Sequence, residues 1–96
     1  MDEPTATAIQ FAPADNDAPG GPWALRVFVT GTGFVERAVG LTAGVGAVPV
    51  QGIFQFPDGS GFAGYLPTTP NDGDALFLGY DQLTLTNLVF QSANVA

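Results

Sequence analysis

Carboxylates are the only abundant reactive groups in this chain, which has nine acidic residues, two arginines and no histidine, cysteine or lysine. That inventory removes the commonest general base, the thiolate nucleophile and zinc ligand, Schiff-base chemistry and any disulfide. Two kinds of carboxylate chemistry are left. Asp15 and Asp17, in Asp-x-Asp spacing, and Asp72 and Asp74, beside Asn71, present oxygens of the kind that hold Ca²⁺ together with backbone carbonyls. The same residue types also populate loops because they initiate turns. Glu36, Asp58 and Asp81 offer an acid/base pair for glycoside chemistry, but an acid catalyst needs a carboxyl in an apolar pocket with a raised pKa. Nothing near these turn residues promises such a pocket. The chain therefore reads as non-enzymatic and without a required cofactor, calcium being the one ion its residues suggest.

The net charge of −7 sets up a field that repels phosphate backbones and anionic lipid surfaces, so nucleic acid is excluded as a partner. The acidity serves solubility, or else cation binding. No apolar run approaches the roughly 20 residues needed to cross a bilayer, which argues against membrane insertion, and Met1-Asp2-Glu3-Pro4 lacks the pattern of a secretory signal. So abrupt a start fits a soluble domain cut from a longer extracellular or virion-associated protein. The compartment itself is not legible.

Thirteen glycines and eight prolines interrupt every window in which a helical period could develop. Short alternating runs take their place: Ala6 to Ala12, Ala24 to Thr30, Arg37 to Thr42, Ala47 to Phe56, Gly61 to Leu66, Asp74 to Gly79 and Leu83 to Gln91, each bounded by Gly, Pro, Asn or Asp. About seven short, mainly antiparallel strands predict an all-β, immunoglobulin-like sandwich filling residues 1–96 as one domain, with 1–5 and 92–96 as flexible ends. Period 2 assigns inward positions to Ile9 and Phe11; Leu25, Val27 and Val29; Val39 and Leu41; Val48, Val50, Phe54 and Phe56; Phe62 and Leu66; and Leu76 and Leu78. In the last run Leu83 and Leu85 differ in parity from Leu88 and Phe90, which predicts a bulge near Thr86 and Asn87.

In order along the chain, Thr7-Ala8-Ile9-Gln10-Phe11-Ala12-Pro13, the turn Pro19-Gly20-Gly21, the strand from Leu25 ending in Gly31-Thr32-Gly33-Phe34, and Gly64-Tyr65-Leu66-Pro67 resemble an IPT/TIG domain. The hairpin from Asp74 to Phe90 completes the likeness, while Val39-Gly40-Leu41-Thr42 departs from the family's usual Val-x-Phe-Gly-Gly. The resemblance implies a spacer, adhesion or dimerisation module, or an accessory beside a catalytic domain. Gly31-Thr32-Gly33 is a turn and not a phosphate loop, since no helix follows and no lysine is present.

Immunoglobulin strand order would gather Asp15, Asp17, Asn71, Asp72 and Asp74 at one end of the sandwich. With Leu25, Val27 and Val29 inward, Arg26 and Phe28 point outward, and Tyr65 joins them from the neighbouring strand. Aromatic rings with an arginine are the usual composition of an interaction hot spot, so Phe28, Tyr65 and Arg26 are the expected protein-binding residues, for a partner or for self-association. Trp23 and Tyr80 are the alternative, as sugar-stacking rings of a carbohydrate-binding module. Against that, Trp23 can instead plug the open end of the sandwich beneath the Pro19 to Pro22 turn. The expectation is a non-catalytic structural or protein-binding module of a larger surface, secreted or virion protein.

Overall fold

Strand-forming alternation is carried through in the three-dimensional structure, a computed structural model that describes residues 4–14, 23–35, 40–80 and 83–95. Eight strands are present among them: β1 (Thr5–Pro13), β2 (Leu25–Thr32), β3 (Thr42–Val45), β4 (Val48–Pro49), β5 (Gln51–Gln55), β6 (Gly61–Leu66), β7 (Ala75–Gly79) and β8 (Thr84–Val89). They form two antiparallel four-stranded sheets, in the orders β1-β2-β6-β5 and β4-β3-β7-β8. This is immunoglobulin-like sandwich order, with β4 added at the rim of the second sheet.

Leu25, Val27 and Val29 are buried in β2, as are Phe62 and Leu66 in β6 and Leu76 and Leu78 in β7. Two aromatic pairs sit at the ends of this filling. Phe11 meets Phe90 edge-on at 4.9 Å near the Pro13 end of β1, and Phe34 meets Phe62 at 5.4 Å at the opposite end. The Gly31-Thr32-Gly33-Phe34 segment explains the second pair. A Cβ on Gly31 would collide with the Thr5 carbonyl of β1, and Gly33 turns the chain at φ 82°, so the Phe34 ring drops into the core. Backbone bonds from Gly31 N to Ser60 O (2.8 Å) and Phe34 N to Gly59 O (3.2 Å) lock this segment onto the β5–β6 turn.

One expected strand proves to be two. The run from Ala47 to Phe56 leaves the second sheet at Pro49 and enters the first at Gln51, so β4 and β5 belong to different layers. At the crossing Val50 is buried, and its N–H bonds the Ala43 carbonyl at 2.9 Å. Gly52, at φ 60°, then bulges β5 against β6 between Gln51 and Phe54. The bulge inverts the alternation, so Ile53 and Gln55 turn toward the core and Phe54, expected inside, is 60% exposed. The expected strand from Arg37 to Thr42 falls partly on residues 36–39, outside the described residues with Val39. Its end is correct in sense: Leu41 is buried and leads into β3.

The bulge expected near Thr86 and Asn87 is present. Between the pairs Ala75↔Val89 and Phe77↔Leu85 lies one residue of β7 and three of β8. Thr86 stitches it, donating from Oγ1 to the Leu76 carbonyl (2.8 Å) and accepting the Leu88 N–H (3.1 Å). Two extra residues preserve parity, so Leu88 and Phe90 point inward and Leu83 and Leu85 outward. Beyond β8, Ser92–Asn94 forms a 3-10 turn and Val95 makes a parallel bridge to Phe11.

Phe34→Ala is expected to cost about 3–5 kcal/mol, the usual result of emptying a fully buried phenylalanine site. Urea unfolding followed by far-ultraviolet circular dichroism measures this, and a loss under ~1 kcal/mol would show that Phe34 is not a core anchor.

Candidate functional site

Among the described strand residues only one is charged, Arg26. It lies on the outer face of the first sheet, where strand register lines up two rows of side chains. One row runs Ala12, Arg26, Tyr65, Gln51; the next runs Gln10, Phe28, Ala63, Phe54. The small Ala63 side chain leaves a shallow floor between Phe28 and Phe54. Arg26 reaches along β2, placing its Cζ 5.1 Å from the centre of the Phe28 ring. Such a contact holds the guanidinium against the sheet.

Tyr65 is directly opposite Arg26, so the expected Phe28/Tyr65 juxtaposition is a diagonal one across β2 and β6. The tyrosine ring covers Gly52 of the bulged strand, at 3.4 Å from where a Cβ would stand. Trp23 stacks on it, the rings 5.6 Å apart and inclined by 15°. Trp23 therefore leans on the outer wall of this sheet through Tyr65; the Pro19 to Pro22 turn beneath which it was expected lies outside the described residues. Sequence reasoning had kept the Phe28/Tyr65/Arg26 group apart from Trp23; the fold merges them and adds Phe54. The signal for Phe54 was Gly52, since a glycine inside an alternating run marks a bulge that turns the following residue over.

Tyr80, the second expected sugar-stacking ring, is elsewhere. It is 8% exposed, and its hydroxyl donates to the Val35 carbonyl (2.6 Å) and accepts from Gln55 Nε2 (2.7 Å), which also lies 3.2 Å from the Phe34 carbonyl. Burial and both hydrogen bonds make it a structural latch between β7, β5 and the segment after β2. It presents no ring face to a ligand.

Of the expected calcium ligands, Asp15 and Asp17 lie outside the described residues. Asp72 accepts the Ser92 N–H (2.8 Å) and hydroxyl (3.1 Å), and Asp74 accepts the Asn71 N–H (3.0 Å). Asp74 thus closes the β6–β7 connection while Asp72 ties it to the segment after β8, and among the described residues no three metal-ligating side chains converge. Glu36 and Asp81 also lie outside the described residues. Asp58 accepts the Ser60 N–H at 3.0 Å, and the Ser60 hydroxyl and N–H together hold its carboxyl below the usual carboxylate range. That shift is opposite in direction to the one an acid catalyst requires.

Among the described residues, this face mixes polar and apolar side chains. Its polar atoms are the Arg26 guanidinium, the Tyr65 hydroxyl and the amides of Gln10 and Gln51, set among aromatic rings and small apolar residues. No protein-family model, no curated protein and no solved structure matches this chain, and no helix among the described residues is long and apolar enough to cross a membrane.

Two outcomes follow from this geometry. Tyr80→Phe takes the donor from the Val35 carbonyl and one of two acceptors from the Gln55 amide, and a loss of about 1–3 kcal/mol is expected in denaturant unfolding; no change would show that the latch carries no weight. The depressed folded-state pKa of Asp58 makes its turn contribution complete above the unfolded pKa and lost as pH falls through the folded one. In an NMR titration its midpoint should lie below the ordinary aspartate value and rise in Ser60→Ala.

Proposed function

We propose that this chain is a non-catalytic binding module of the IPT/TIG type, docking a protein partner through the outer face of the β1-β2-β6-β5 sheet. The observation that carries the reading is Arg26 packed on Phe28 beside the Trp23–Tyr65 stack. The aromatic rings supply large apolar area with little rotamer entropy to lose, and the guanidinium supplies direction. The complement of such a face is a largely apolar protein surface. Overall acidity disfavours a nucleic-acid partner. The module serves within a larger surface, secreted or virion protein, where fold analogy favours binding over catalysis.

A second reading, a carbohydrate-binding accessory, has Trp23 in its favour, since a ring on an open sheet face can stack a sugar. Stacking on Tyr65 occupies one side of the indole and weakens this alternative, and Tyr80 does not assist it.

The test compares immobilised wild-type domain with the triple variant Arg26→Ala, Phe28→Ala, Tyr65→Ala in quantitative affinity capture, with thermal melts verifying the fold. A partner retained at least about tenfold better by the wild type is expected, the effect of losing one or two hot-spot residues. Equal retention would overturn the face, and retention on glycan columns abolished by Trp23→Ala would favour the carbohydrate reading.

A further inference from the structure

Two peptide bonds in this chain join an aspartate to a glycine, Asp58-Gly59 and Asp72-Gly73. At such a pair the backbone itself can react. The glycine nitrogen, unshielded by a Cβ, attacks the aspartate Cγ, forming a C–N bond and expelling a carboxyl oxygen as water to close a five-membered succinimide. Water then adds at one of the two ring carbonyls. Opening at the former backbone carbonyl leaves an isoaspartate, whose main chain runs through Cβ and Cγ and is one methylene longer. Opening at the other restores aspartate.

Folding suppresses this step wherever hydrogen bonds hold the nitrogen and the carboxyl to other partners, and the two sites are held differently. Gly59 is buried, and its N–H donates to the Phe56 carbonyl (2.9 Å). Its own carbonyl accepts from Phe34 N, and that of Ser60 accepts from Gly31 N, so this turn cannot open without unhooking the segment that seats the fully buried Phe34 ring. The Ser60 hydroxyl and N–H also favour the ionised form of the Asp58 carboxyl. A carboxylate is a poor electrophile.

Gly73 is exposed, and a Cβ there would meet nothing within 4 Å. Its N–H donates to the Phe90 carbonyl (2.8 Å), and Ser92 holds one Asp72 oxygen through its N–H and the other through its hydroxyl. Every one of these partners lies on the strip from Phe90 to Ser92. Asn71, Asp72 and Gly73 are all exposed, so their turn can swing off that strip without uncovering any core side chain.

We propose that Asp72-Gly73 is a site of spontaneous isoaspartate formation in the folded protein, and that the β5–β6 turn spares Asp58-Gly59. Reaction proceeds from locally open molecules, and the opening that frees Asp72 is the smaller of the two. The added methylene displaces the carboxylate from Ser92, so isomerisation releases the segment after β8 from the β6–β7 connection.

Ageing the protein at neutral pH in heavy-oxygen water, followed by peptide mapping with electron-transfer fragmentation, tests this. Each ring opening installs one heavy oxygen, so turnover is counted even where aspartate is restored. A sample unfolded in urea sets the intrinsic rate of each site. Relative to it, folding is expected to slow labelling at Asp58 at least about tenfold more than at Asp72, with isoaspartate accumulating at residue 72. Ser92→Ala should speed Asp72 at least about threefold, the effect of one hydrogen bond lost from the closed form, and leave Asp58 unchanged. Ser60→Ala should do the reverse, with thermal melts verifying that both variants stay folded. Equal protection of the two sites, no labelling of Asp72 until urea is added, or a rate at Asp72 indifferent to Ser92→Ala would each overturn the proposal.

Discussion

Burial of every second residue between two sheets is the constraint on which the rest of this molecule depends. With no cysteine in the chain, no covalent bond ties the layers. Adhesion comes from side chains such as Val27, Phe62, Leu76 and Phe90, each contributing roughly 1.5–3 kcal/mol when fully buried. Once those positions are committed inward, strand geometry leaves their neighbours no choice but to face out. Arg26, Phe28 and Tyr65 are outward because Leu25, Val27, Gly64 and Leu66 are inward, and Leu85 is outward because Thr86 and Leu88 turn toward the filling.

Alternation is local, which is why β1, β2, β6 and β7 could be read from the chain with their inner faces, and why the outward group on β2 and β6 was legible too. The misreadings share one cause. Ala47 to Phe56 satisfies a single-strand pattern, and nothing local says that Val50 passes between layers, because that depends on where β3 and β6 lie. Gly52 did carry a hint, as a bulge that moves Phe54 from core to surface. Trp23 was ambiguous for a similar reason: whether it caps the sandwich or leans on its wall depends on Tyr65, which is 42 positions away in the sequence. Tyr80 showed the limit of residue type as a signal, since only the carbonyl of Val35 and the amide of Gln55 reveal that its hydroxyl is used internally.

Charge is partitioned by architecture. Among the described residues, carboxylates occupy connections, where Asp58, Asp72 and Asp74 accept turn N–H groups, and the strands carry Arg26 alone. Acidic ends keep a domain dispersed, while neutral walls keep it available for contact. The two walls differ in kind. Among the described strand residues, one wall is aromatic and polar with a cation, and the other sets aliphatic side chains around Phe77.

The parallel bridge from Phe11 to Val95 has a mechanical consequence. Val95 sits six residues up β1 from Thr5, about 20 Å at strand rise, so the chain arrives at one pole and departs near the other. Tension applied along it runs lengthwise through the sandwich and strains the β1–β2 ladder in shear. Several hydrogen bonds must then give way together and cannot unzip in turn.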